Sequence, residues 1–75
     1  MMNKLRIYHI VNGKTTYHFV SDIEHARILI RALAQSDLLD KSIDYNCFGL
    51  EEFSEEEKEW QEWYDENGCN IDGNP

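Results

Sequence analysis

The stretch Ser54-Glu55-Glu56-Glu57-Lys58-Glu59-Trp60-Gln61-Glu62-Trp63-Tyr64-Asp65-Glu66-Asn67-Gly68 decides how this chain folds. Its first four residues form a capping-box pattern: a Ser hydroxyl accepts the N–H three residues on, and the Glu there reaches back. Gly68 supplies a C-terminal stop. Between these signals the pattern predicts an α-helix ending near Asn67. On that helix Glu55, Glu59, Glu62 and Glu66 fall within an arc of roughly 60°. Trp60, Trp63 and Tyr64 occupy a second arc about 130° away. One ridge is acidic and its neighbour is aromatic.

Part of this acidity has a local cause. Acids in a first turn are stabilised by the helix dipole, which accounts for Glu55, Glu56 and Glu57. Glu62, Asp65 and Glu66 would sit in the last turns, where cations are preferred. Like charges four residues apart add roughly 0.2–0.5 kcal/mol of repulsion per pair. The second half of the expected helix therefore works against its own folding, and a local rule broken without compensation is a place to look for function. The internal remedy would be Arg27 and Arg31 reaching across from another element. The external remedy would be a basic partner, because carboxylates four apart on a helix repeat every ~6 Å, close to the phosphate spacing of a nucleic-acid strand. The plainer alternative is a solvated face beside a core face. Trp60 and Trp63 are either the lid of the core or, if the rest closes on itself, a surface anchor.

Moving towards the N-terminus, residues 42–48 alternate, with Ile43, Tyr45 and Cys47 on one side and Asp44, Asn46 and Phe48 on the other. This predicts a third strand, parallel or antiparallel, ended by Gly49. Before it, Ser21-Asp22-Ile23-Glu24 is a second capping box with Ser21 as N-cap. Ile23, Ala26, Leu29, Ile30, Leu33 and Ala34 share one arc of about 140°, with Ile28 outside it. That is a core helix ending near Ser36. The first segment, Lys4 to Val20, is a β-hairpin centred on Asn12-Gly13. A two-residue loop pairs Tyr8 with Tyr17 and leaves both faces mixed. A three-residue loop, Val11 to Gly13, pairs Leu5 with Phe19 and Ile7 with Tyr17 and separates an apolar face from a wet one. The latter is the expected register, since a one-residue slip exchanges the faces. The predicted fold is a small α+β single domain over residues 1–75 in β-β-α-β-α order: an N-terminal hairpin and third strand packed by a helix, then the acidic C-terminal helix. Residues 69–75 are expected to fray.

A chain of 75 residues buries only roughly 60–65 % of the surface its unfolded form exposes, so the core is one small cluster. Its formal net charge is -8, and the charge is uneven. Residues 1–50 hold six basic and five acidic residues, whereas residues 51–75 hold ten acidic residues and only Lys58. This argues against direct binding to nucleic acid or an anionic membrane, both of which need a basic footprint. His9, His18 and His25 lack metal-site spacing. Cys47 and Cys69 lack C-x-x-C spacing, so free thiols in a reducing cytoplasm are expected, with a disulfide as the alternative. Residues 65–73 glance at a calcium loop but fail on counting, because either placement of the loop glycine leaves the anchoring positions without acidic ligands. No nucleophile elbow or phosphate loop is present. Neither an enzymatic activity nor a cofactor or metal is expected.

In size, in its compact mixed architecture and in the acidic-aromatic segment around Trp60, Glu62 and Trp63, the chain resembles the small acidic proteins that bacteriophages and prophages encode to act on their hosts, anti-CRISPR and DNA-mimic inhibitors among them. The resemblance is one of style and carries over no residue roles. It implies a non-enzymatic protein that occupies a nucleic-acid-binding surface. The expected function is thus a cytoplasmic binding protein presenting Glu55, Glu59, Glu62 and Glu66, supported by Trp60 and Trp63, to a basic host protein. The alternative is an assembly module that pairs with itself through the hairpin edge or the Trp stripe.

Overall fold

A computed structural model describes residues 4–73. Five elements follow one another: β1 (Leu5–Val11), β2 (Lys14–Val20), α1 (Ile23–Leu38), β3 (Asn46–Ser54) and β4 (Glu59–Glu62). The strands form one antiparallel sheet in the order β2-β1-β3-β4, so the architecture is α+β with a single helix against the sheet.

The first hairpin turns through two residues, not three. Asn12 and Gly13 both have positive φ, 49° and 86°, as a type I′ turn requires. Val11 therefore pairs with Lys14, Tyr8 with Tyr17 and Ile7 with His18, which is the register with mixed faces. The three-residue loop fails because each face of this sheet has its own use. Leu5, Ile7, Val20 and Leu50 lie under α1, while Arg6, Tyr8, Tyr17 and Phe19 form a separate layer on the other side. The tip is also tied down. Asn12 Oδ1 accepts from the backbone of Asp44 at 2.8 Å and of Tyr45 at 3.2 Å, and its Nδ2 donates to Ser42 O at 3.0 Å.

In α1 the N-cap is Asp22 rather than Ser21, its carboxylate accepting from His25 N at 2.7 Å. Ser21 instead bonds the His25 ring. The helix runs two residues beyond Ser36, to Leu38. Ala26 is fully buried with Ile23, Leu29 and Ile30 packed beside it, and Ile28 is 58 % exposed, as its angle on the helix predicts. β3 begins later than expected and runs through Gly49 rather than ending there. Gly49 pairs with Tyr8, and a Cβ built on it would overlap the Tyr8 ring. The glycine leaves room for a ring laid across the strand.

The largest departure is in the last third: residues 54–62 form a hairpin, and no acidic C-terminal helix exists among the described residues. The capping signal is real but lasts one turn. Ser54 Oγ accepts from Glu57 N at 3.1 Å and Ser54 O from Lys58 N at 2.8 Å, and then Lys58 goes left-handed, φ 57°, and sends the chain back. Strand geometry separates what a helix would stack. Trp60 pairs with Phe53 on one face, while Trp63, bonded from its N–H to Leu50 O at 2.8 Å, packs against the core on the other. The acids disperse too: Glu55 meets Lys4 and Lys58, and Glu62 accepts from Tyr8. Arg27 does not reach this segment, its guanidinium lying 3.5 Å from Ile71 O.

Ile71, within the segment expected to fray, enters the core, while residues 74 and 75 of that segment lie outside the described residues. Asp65 Oδ1 accepts from the backbone of Asn67 and Cys69 and folds the chain back, so that Ile71 is buried with Ile7, Val20, Ala26 and Leu50. A buried isoleucine stabilises by about 1.5–3 kcal/mol relative to an exposed one, enough to hold a short tail. The close approach of Gly49 and Tyr8 predicts that Gly49→Ala destabilises the fold by about 1–3 kcal/mol through overpacking. In a Tyr8→Ala background the same change should cost much less. Urea denaturation of the four chains measures the coupling, and equal costs in both backgrounds would show that the ring is not what the glycine accommodates.

Candidate functional site

The candidate site is the sheet face that α1 does not cover. Alternation along the strands brings Arg6 and Tyr8 of β1, Tyr17 and Phe19 of β2, Glu51 and Phe53 of β3, and Trp60 and Glu62 of β4 to this side. At its centre the Arg6 guanidinium carbon lies 3.9 Å from the Tyr17 ring centroid and 4.2 Å from that of Trp60. Arg6 Nε donates to Glu51 Oε1 at 2.8 Å. Trp60 stands on the far edge strand, yet its ring comes within 5.9 Å of Phe19 on the opposite edge and meets Phe53 edge-on at 5.5 Å. It lies across the sheet and joins all four strands in one layer of rings around a cation.

Electrostatics explain why this layer needs its donors. Glu51 and Glu62 are directly opposite each other on β3 and β4, an arrangement that is repulsive by itself. The central strand relieves it by supplying Arg6 to Glu51 and the Tyr8 hydroxyl, which donates to Glu62 Oε1 at 3.1 Å. Burial, and then the carboxylate it donates to, push the Tyr8 phenol far above its ordinary pKa and keep it a donor. The layer is open on its outer side, with Tyr17 49 % and Phe19 53 % exposed. Such a surface can stack a further planar or cationic group and hold it with carboxylates.

A second polar cluster lies on the helix side. His9 Nε2 is 2.7 Å from Asp37 Oδ2, Asn46 Nδ2 donates to the same oxygen at 2.8 Å, and the His9 ring stacks on Phe48 at 4.5 Å. The His9 and Asp37 side chains are each only 10 % exposed. Hydrogen bonds from Asn46 and then His9 hold the Asp37 carboxyl below the usual carboxylate range. The cluster latches the end of α1 to β1 and to the start of β3. His18, which the three-residue loop would put on the wet face, lies on this side as well, with Nε2 buried and without a hydrogen-bond partner. Among the described residues no group of three or more His, Cys, Asp or Glu could hold a metal ion, and Cys47 and Cys69 are free thiols. No helix among them is long and apolar enough to cross a membrane.

Comparison with protein-family models, curated proteins and solved structures finds no match to this chain. Of the residues singled out in the sequence, Trp60 and Glu62 come together on the open face. Glu55 and Glu59 flank the β3–β4 turn, Glu66 is exposed in a later turn, and Trp63 belongs to the core. Arg6, Tyr8, Tyr17, Phe19, Glu51 and Phe53 were missed as site residues. The signal was available: the two-residue turn, set aside because its faces were mixed, is the one that assembles them.

Two outcomes test these clusters. Arg6→Lys keeps the charge and loses the planar stack, and should destabilise the protein by about 1–2 kcal/mol. An unchanged urea midpoint would mean that charge alone holds the layer. Because the folded Asp37 pKa lies below its usual 3.8, its contribution is complete above that value and is lost as pH falls through the range beneath it. The stability gap between wild type and Asp37→Asn should therefore hold steady down to about pH 4 and shrink as pH falls further, and a gap of constant size throughout would remove Asp37 from the account.

Proposed function

We propose that this chain is a non-enzymatic binding protein, of the kind that phages and prophages encode, which occupies a basic surface of another protein with the open face of its sheet. The observation that carries this reading is the Arg6 guanidinium held between Tyr17 and Trp60 and paired with Glu51. A face that accommodates one guanidinium internally has the chemistry to receive others on the outer sides of the same rings. The surrounding charge favours cations. Glu62 lies within the layer, and Glu55, Glu56, Glu57 and Glu59 crowd the turn beside it with Lys58 as the one nearby base of that hairpin.

A helical ladder of carboxylates at ~6 Å intervals does not exist in this fold, because the residues concerned lie on a turn and two sides of a strand. The recognition proposed is therefore of arginine and lysine side chains by aromatic faces and carboxylates, rather than imitation of a phosphate backbone. A nucleic-acid-binding protein remains the natural class of partner, since it carries such side chains in a groove or patch. Nucleic acid itself, with the same sign of charge, is repelled.

Titrating an isotope-labelled sample with an arginine-rich peptide tests the reading by NMR. The two indoles are built-in reporters: the Trp60 N–H and the amides of Arg6, Tyr17 and Phe19 should shift while the Trp63 N–H does not. Affinity should fall about tenfold or more between about 0.1 M and about 1 M salt, as expected for charge-steered contacts. Shifts confined to α1, or no binding at the lower salt, would overturn the assignment.

A further inference from the structure

We propose that the free edge of β2 is a self-association site, at which two copies of this chain pair β2 against β2, antiparallel, about a twofold axis passing beside Tyr17. The strand order leaves β2 and β4 as the two edges of the sheet. Because Val11 and Lys14 flank a two-residue turn, they form a hydrogen-bonded pair, and the alternation along the hairpin follows from that. Thr16, His18 and Val20 turn their N–H and C=O groups towards β1. Thr15, Tyr17 and Phe19 turn theirs outward, and among the described residues no hydrogen bond reaches those outward groups.

The two edges are treated differently. β4 is four residues long and carries Glu59 and Glu62, the charged and shortened form that discourages pairing. β2 is seven residues long, with no proline, no bulge and no carboxylate, and Lys14 at its very start is its one charge. Two chains of net charge -8 repel each other, and β2 is the edge at which they can meet without bringing carboxylates together. That electrostatic selection, added to the unpaired row of backbone groups, points to a second copy as the occupant.

The symmetry can be written residue by residue. Centring the pair on Tyr17 sets Tyr17 opposite itself and Thr15 opposite Phe19 twice, which satisfies the outward groups in about six hydrogen bonds. On the opposite face Thr16 meets His18, and at the ends Lys14 meets Val20. No pair sets like charges opposite each other. Tyr17 and Phe19, about half exposed at 49 % and 53 %, stand at the margin of the aromatic layer, and the pairing lays the two layers edge to edge.

Sedimentation from micromolar to millimolar concentration should show a monomer–dimer equilibrium that strengthens or holds as salt is raised. Because Tyr17 pairs with its own counterpart, Tyr17→Lys alone and Tyr17→Glu alone should each be monomeric. Their equimolar mixture should associate about tenfold more tightly than either does with itself. Amide exchange on the wild type needs no variant: Thr15, Tyr17 and Phe19 should become protected as concentration rises, while the outward amides of β4 should not. A wild type that is monomeric throughout, a Tyr17→Lys chain as dimeric as wild type, or protection appearing elsewhere would each overturn the proposal.

Discussion

Asn12 and Gly13, both in left-handed conformation, set the parity of β1 against β2, and through β1 that of the whole sheet. A turn one residue longer would carry Phe19 and Tyr17 to the helix side and push Val20 and His18 outward. With two residues, Ile7 and Val20 close on Leu50 beneath α1, and Arg6 and Tyr8 face Tyr17 and Phe19 on the other side. The turn is then locked by the bonds from the Asn12 side chain to the segment between α1 and β3. Asn12 therefore fixes both a local conformation and a long-range contact.

Each side of the sheet uses different physics. The helix side is an ordinary apolar cluster closed by Ile71 and latched at one end by His9, Asp37 and Asn46. The open side depends on a charged centre: a guanidinium stacked between rings, two carboxylates placed opposite each other, and a phenol that stays protonated to serve one of them. A single-helix fold of this size cannot cover both faces of a four-stranded sheet. Large side chains laid across the strands cover the second face partway and leave rings at the margin.

Much of the chain is legible without tertiary information. The hairpin around Asn12-Gly13, the helix starting beside Asp22 and the solvent position of Ile28 follow from turn chemistry, capping and helical angle. The third strand is legible as a strand but not in extent, because Gly49 looks like a terminator until the Tyr8 ring is seen lying over it. The final segment misleads for a physical reason. A serine that accepts an N–H three residues on begins a helix and a tight turn alike, and Trp60 with Trp63 satisfies a helical stripe as well as a strand with one ring on each face. The crowding of Glu62, Asp65 and Glu66 at the end of the expected helix was the contrary sign, and the hairpin relieves it. The candidate face was invisible for the same reason as the register, since a mixed face looks like an error until Arg6 is paired.

By itself the sequence determined the place of the first hairpin (though not its register), the central helix, the acidic character of the last third and the absence of a basic footprint. These are properties of neighbouring residues or of composition, and short-range sterics and charge suffice to fix them. Only the tertiary structure decided that Glu59 to Glu62 form a strand, that Trp60 and Trp63 part company, and that Ile71 enters the core. Those outcomes depend on what lies opposite in the fold: Phe53 for Trp60, Leu50 for Trp63, and the apolar side of α1 for Ile71. Local propensity from Glu55 to Glu62 favours a helix, since Glu, Lys and Gln are good helix formers and Glu and Lys are poor strand formers, so contacts between residues distant in sequence overrule it.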